Sequence, residues 1–191
     1  MKILSKLISF TVFIVTLGLV VYILIPELEK QWPGSPFAKK EVPVPEELHP
    51  RVEEYKDKLV TQAAERGIEI AITEGHRSVE SQNELYERGR SKEGQVVTHA
   101  RGGESYHNYG LAIDFALKTD HGVVWDMERD GNGNGKSDWM EVVAIAKDLG
   151  FEWGGDWSNF KDYPHLQMDF GLTIRDLKYG ERPNVAEYAD K

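Results

Sequence analysis

The sequence predicts an α+β domain, helices packed on a small, mainly antiparallel sheet, preceded by one N-terminal transmembrane helix. Three observations carry this. Ile68–Thr73, Leu111–Ala116 and the run entered at His165 alternate apolar and polar side chains, the period of a half-buried strand. Residues 52–63 and 138–149 place their apolar side chains at helical spacing, each segment followed by a glycine, Gly67 and Gly150. Leu7–Ile25 is a charge-free, largely apolar run of 19 residues. As a helix it would be about 29 Å long, the thickness of a bilayer core.

Lys2 and Lys6 flank the start of that run, and Glu27 and Glu29 follow its end. The positive-inside rule then puts the N-terminus in the cytoplasm and the rest of the chain outside. The expected location is the cell membrane, as a single-pass protein anchored by residues 1–29. The alternative is a cleaved signal peptide and a secreted product. Against it, the run exceeds a usual signal core, and Leu24-Ile25-Pro26-Glu27-Leu28 offers no small-x-small cleavage site. Residues 30–50 hold five of the eight prolines, so 30–45 reads as an extended, semi-rigid spacer and 46–191 as the folded domain.

Within that domain a helix starts at Pro50, burying Val52, Tyr55, Leu59 and Ala63, and ends at Gly67. The strand Ile68–Thr73 comes next. After a turn at Gly75, Ser78 suits an N-cap for a helix running to about Arg88 and closed by Gly89. Arg77 thus falls at a strand-to-helix junction, and Gln82 and Tyr86 lie four apart on one helical face. Lining a cleft and ordinary packing are both open for that pair. Asp120-His121-Gly122 marks a hairpin turn between Ala116-Leu117 and Val123-Val124-Trp125. The helix Asp138–Leu149 buries Val142, Val143, Ile145, Ala146 and Leu149. His49 and His121 read as surface residues, and residues 171–191 as uninformative.

The chain contains no cysteine, which excludes disulfides, a lipid-modified cysteine and thiolate metal ligands. Its formal charge is -9; residues 1–45 carry five basic and three acidic side chains, which leaves 18 basic against 29 acidic, or -11, for the remainder. So acidic a domain is a poor partner for nucleic acid.

One residue breaks the apolar alternation. Asp114 sits in the strand Leu111–Phe115, where a carboxylate is costly unless a cation or donors meet it. His107 lies seven residues earlier, just before the strand, and His165 enters the second alternating run. Two histidines and one carboxylate make a three-ligand set with an open position, which is how catalytic zinc is held. Asp162, three residues before His165, remains as a free acid beside them. The competing possibility is two unrelated core histidines. Residues 91–104 are polar and glycine-rich, a loop at the mouth of such a site, with His99 as a loop histidine. Trp153, Trp157, Phe160 and Tyr163 crowd the approach to His165, as core packing or as a rim.

A second metal pattern lies in Asp130-Gly131-Asn132-Gly133-Asn134-Gly135-Lys136-Ser137-Asp138-Trp139-Met140-Glu141. Asp130, Asn132, Asn134, Asp138 and Glu141 occupy positions one, three, five, nine and twelve of a Ca²⁺ loop, with Gly135 at the sharp turn. A plain Gly/Asn/Asp turn ahead of a helix is the alternative.

Ser105-x-His107-x-x-Gly110-x-Ala112-x-Asp114 followed by Asp162-x-x-His165 resembles the zinc metallopeptidases that include D-Ala-D-Ala carboxypeptidases and L-Ala-D-Glu endopeptidases. The resemblance spans roughly residues 46–175 and takes in His76-Arg77-Ser78, Gln82, Leu85, Tyr86, Gly89-Arg90 and Trp153-Gly154-Gly155-Asp156-Trp157. His76 departs from the aromatic residue usual in the family. The resemblance implies His107, Asp114 and His165 as zinc ligands, Asp162 as general base, and Arg77 as the arginine that steadies the transition state. Ser105, Gln82 and Tyr86 become possible substrate contacts. The implied substrate is the peptide stem of peptidoglycan. Val97-Thr98 to Gly103 and Asp-Tyr-Pro-His are closer to L-Ala-D-Glu endopeptidases than to D-Ala-D-Ala carboxypeptidases, the enzymatic alternative. A non-catalytic metal-bearing binding module, as in hedgehog-type relatives of the fold, is the alternative from another class.

Overall fold

The computed structural model describes residues 14–16 and 41–184. The chain divides into two compact units, Met1–Lys40 and Glu41–Lys191, of which the second carries the sheet. Most of the apolar run Leu7–Ile25 lies outside the described residues, among which no helix is long and apolar enough to cross a membrane.

The second unit is α+β. In chain order it holds α1 (Pro50–Glu65), β1 (Ile70–Glu74), α2 (Val79–Glu87), a 3-10 turn (Tyr106–Tyr109) and β2 (Ala112–Thr119). Then come β3 (Gly122–Val124), α3 (Asp138–Asp148), β4 (Glu152–Trp153), β5 (His165–Gln167) and α4 (Ile174–Lys178). The sheet runs β1-β2-β5-β4 with β3 paired to the far end of β2, and every pairing is antiparallel.

The long strand β2 organises the molecule because its two faces do different jobs. Leu111, Ile113, Phe115 and Leu117 are buried with α1 and α3, and the Phe115 ring lies 4.6 Å from that of Trp139. Val52, Leu59 and Ala63 from α1 and Val142, Ile145 and Ala146 from α3 complete this core. The opposite face carries Ala112, Asp114 and Ala116, small side chains on either side of the carboxylate.

The ends of the elements obey local chemistry. Ser78 caps α2 by accepting from Ser81 N at 3.1 Å, and Ser137 caps α3 by accepting from Met140 N at 3.1 Å. Gly110 ends the 3-10 turn at φ 67°, and a Cβ there would collide with the Glu47 carbonyl oxygen.

Two sequence expectations change. His49 is half-buried rather than exposed: it caps α1, accepting from Arg51 N at 3.3 Å, and its ring packs 4.9 Å from Phe170. Burial lowers its pKa. Residues 30–40 of the stretch read as a spacer lie outside the described residues; 41–45 form no helix or strand, and Arg182 donates to the carbonyls of Val42 (3.3 Å) and Pro43 (3.1 Å). The tail also holds a helix, α4, closed by a capping box between Thr173 and Asp176.

Candidate metal centre

The register of the sheet builds the site. Asp114 on β2 stands directly opposite His165 on β5, so their side chains share a face. His107 arrives from the 3-10 turn just before β2, a turn capped by Ser105, whose hydroxyl accepts from His107 N. Among the described residues, His107, Asp114 and His165 form a group whose ligand atoms all lie within 4.8 Å of one another. The facing atoms are closer still: His107 Nε2 to His165 Nδ1 is 3.1 Å, and Asp114 Oδ1 is 3.2 Å from the first and 3.3 Å from the second.

That triangle fits a metal on two grounds. Ligand atoms about 2.0 Å from a tetrahedral ion stand about 3.3 Å apart, close to the edges observed. The proton inventory agrees. His107 Nδ1 lies 2.7 Å from the Gly75 carbonyl oxygen, which can only accept, so Nδ1 carries the proton and Nε2 turns a lone pair inward. It meets Asp114 Oδ1, buried and without a hydrogen-bond partner. Lone pairs converge at a buried point, and positive charge is what relieves them. Burial alone would raise the Asp114 pKa; positive charge on the His107 and His165 rings outweighs it and holds the carboxyl well below its usual range.

The site opens into a cleft of about 570 Å³, to which Arg77, Ser105, Asp162 and the three metal-facing residues contribute. Asp162 is held through its backbone: its N–H donates to Gly154 O at 3.1 Å, and its carbonyl accepts from His165 N at 3.3 Å. A Cβ on Gly154 would collide with the Asp162 carbonyl oxygen, so this close approach requires glycine. Burial raises the Asp162 pKa, and the nearby charge of Asp114 raises it further. Such a group is a better proton acceptor than an ordinary exposed carboxylate.

Arg77 is clamped on several sides. Its guanidinium lies 3.2 Å from Glu74 Oε2 and 3.7 Å from Asp114 Oδ2, and donates to Gln82 Oε1 at 2.9 Å. Gln82 is fully buried and does not line the cleft; its amide donates to Ala100 O at 2.8 Å. It therefore ties Arg77 to the 91–104 loop, which sets the sequence expectation of a substrate-contacting Gln82 aside on simple access. Tyr86 also lies off the cleft, its ring beneath the Arg90 guanidinium at 4.0 Å.

Two further residues join the cleft. His99 lines the cleft, its ring edge-on to Phe160 at 5.3 Å. Gln167 lines it too, with Oε1 3.0 Å from His165 Nε2. Of the aromatic cluster, Trp153 is core, donating to Tyr163 O at 2.7 Å. Trp157 packs 5.1 Å from the His165 ring, whereas Phe160 and Tyr163 are exposed.

In the Asp130–Glu141 loop, Asp130 accepts from the N–H groups of Asn134 (3.0 Å) and Gly135 (2.9 Å). Glu141 Oε2 lies 3.2 Å from the Asn132 amide and 2.8 Å from that of Asn134. The Asn132 and Asn134 amides thus meet at Glu141, while Asp130 holds the backbone of the loop. Asp138 instead accepts from Gly131 N at 2.8 Å and braces the loop.

Residues 98–168 match the family profile described as D-alanyl-D-alanine carboxypeptidase. The peptidoglycan L-alanyl-D-glutamate endopeptidase CwlK of Bacillus subtilis (strain 168) is 62% identical over 142 residues, covering 74% of this chain and 84% of CwlK. The L-alanyl-D-glutamate peptidase of Listeria phage A118 is 39% identical over 113 residues, 59% of this chain and 35% of the phage protein. The crystal structure of Serratia marcescens L-Ala D-Glu endopeptidase ChiX aligns at 23% identity and a TM-score of 0.46, over 69% of this chain and 84% of that one. With 62% identity to CwlK over 84% of that protein, the chain belongs to the zinc metallopeptidase family of D-alanyl-D-alanine carboxypeptidases and L-alanyl-D-glutamate endopeptidases.

Proposed function

We propose that the protein is a zinc-dependent peptidoglycan peptidase that cuts the stem peptide between L-Ala and D-Glu. The observation that carries this is the 3.1–3.3 Å triangle of His107, Asp114 and His165, with Asp162 and Arg77 in the same cleft. The identity to CwlK supports the choice of bond. His107, Asp114 and His165 would hold zinc, which would supply a Lewis acid there and lower the pKa of a water toward about 7. Asp162 takes a proton from the attacking water and returns it to the leaving amine. Arg77, clamped by Glu74 and Gln82, donates to the oxyanion as it develops. Ser105 lines the cleft while its hydroxyl caps the turn carrying His107, so it orders the ligand as well as facing substrate. A non-catalytic binding module would need neither Asp162 nor Arg77 there.

Mass spectrometry of a stem-peptide muropeptide tests the reading. The expected product is a new D-Glu amine with a terminal D-Ala-D-Ala left intact. Release of free D-Ala alone would make the protein a D-Ala-D-Ala carboxypeptidase instead.

The Asp130–Glu141 loop is read as a structural Ca²⁺ site, because Asp130, Asn132, Asn134 and Glu141 bring oxygen donors to one loop. Millimolar Ca²⁺ should then raise the thermal midpoint of chelator-stripped protein, as any ligand selective for the native state does. Asp130→Ala should remove that increment and leave zinc content unchanged. A midpoint indifferent to Ca²⁺ reduces the loop to a turn.

The apolar run and its flanking charges favour a single-pass anchor with the peptidase domain outside the cytoplasm. On that reading the mature chain keeps residues 1–25, stays with membranes after a high-salt wash and is accessible to external protease. A mature N-terminus beyond residue 25 in the culture medium would establish secretion after cleavage.

A further inference from the structure

Behind the metal centre, three side chains form a hydrogen-bonded relay whose polarity is fixed at its far end. Glu152 opens β4 and stands opposite Gln167 on β5 in the sheet register. Its Oε2 lies 3.0 Å from Gln167 Nε2. The other end of the Gln167 amide, Oε1, lies 3.0 Å from His165 Nε2, and both Gln167 and His165 are buried, at 5% exposure each. Either orientation of an amide fits its own shape, so its neighbours decide which end is oxygen. A carboxylate only accepts, which obliges Gln167 to turn its NH₂ toward Glu152 and its oxygen toward His165. That oxygen in turn needs a donor, so His165 Nε2 carries the ring proton. Nδ1 is then left as a lone pair aimed at His107 Nε2 and Asp114 Oδ1.

We infer that Glu152, acting through Gln167, is a positioning residue that selects the metal-binding tautomer of His165. It never touches the metal or the cleft contents; its charge sets the direction of two hydrogen bonds, and the second sets the ligand. The Gly75 carbonyl does the same for His107 by backbone alone. His165 Nε2 meets the Gln167 side chain instead, so it depends on a side-chain relay whose outer member, Glu152, is exposed.

The inference rests on His165 being a metal ligand, and the experiment separates the two. Glu152→Lys replaces an acceptor with a donor at the same exposed position, which turns the Gln167 oxygen outward and its NH₂ toward His165. Nε2 must then accept, and Nδ1 carries the proton and cannot bind metal. Adding Gln167→Glu puts a carboxylate between the new lysine and His165 that accepts from both, and the original tautomer returns. In the metal-free full-length chain, ¹⁵N NMR of the His165 ring should show Nε2–H for the parent, Nδ1–H for Glu152→Lys, and Nε2–H again for the double variant. Zinc affinity, measured by chelator competition, should fall about 10–100-fold in Glu152→Lys and recover in the double variant.

A parent that is Nδ1–H in the metal-free state overturns the inference whatever the variants do. So does Glu152→Lys with parental affinity, or a loss that Gln167→Glu fails to restore, which would mark a packing effect. His165→Ala is the control: if it keeps parental zinc affinity, the metal site itself is misassigned. If it loses zinc while Glu152→Lys does not, only the relay fails.

Discussion

Asp162→Asn is expected to lower kcat by on the order of 10²–10⁴ while leaving zinc content and the thermal midpoint at parental values. The substitution preserves shape and removes basicity. The main-chain hydrogen bonds that hold this residue, Asp162 N–H to Gly154 O and His165 N–H to Asp162 O, do not involve the side chain, so its position survives. Neither does Asp162 belong to the triangle of metal-facing atoms. Its carboxyl is raised by burial and by Asp114, the setting of a group that accepts a proton rather than of one locked into an ion pair. Metal analysis, a melting curve and muropeptide turnover on the same preparation check it. Loss of zinc would make Asp162 a ligand; retention of both zinc and full activity would assign the base to another group.

The metal-facing residues should behave in the opposite way. His107→Ala is expected to lose zinc, and with it both activity and the stabilisation that zinc supplies. At a free metal concentration 1,000 times Kd, that stabilisation is about 4 kcal/mol. For a domain of this size, a loss of about 4 kcal/mol lowers the midpoint by roughly 8–16 °C. The side chain also donates to Gly75 O in a buried setting, so the metal-free variant should melt below the metal-free parent as well, by the cost of an unsatisfied carbonyl. Asp114→Ala separates the two contributions. It removes a ligand whose Oδ1 has no hydrogen-bond partner within the protein, so less stability should be lost once zinc is stripped. Differential scanning calorimetry with and without chelator, beside a metal titration, measures each part. An Asp114→Ala variant that binds zinc as tightly as the parent would remove that residue from the ligand set.

The residues behind both effects stand out in the sequence because their signals are local. Asp114 is a charge in an alternating apolar strand, and His107 and Asp162 lie within a few residues of the strands that carry their partners. The strand period, the serine caps at Ser78 and Ser137 and the helix-ending Gly67 and Gly150 are short-range too. Each rests on backbone geometry that a handful of neighbouring residues dictates.

What the tertiary structure alone decided is longer in range. Gln82 is on a helical face that sequence allows to meet a cleft, yet packing turns it inward to join Arg77 to Ala100. His49 reads as exposed until Phe170, more than a hundred residues away, covers its ring. His99 becomes a cleft residue because two loops bring it against Phe160. Glu152 acquires a role because the β4–β5 register sets it opposite Gln167. Sequence determined the α+β elements and which side chains are chemically able to hold a metal, because backbone period and ligand chemistry belong to single residues and their neighbours. The sheet register and loop packing determined which hydrogen-bond acceptor stands behind each of those ligands, because a buried polar group takes its partner from whatever distant segment the fold brings within about 3 Å.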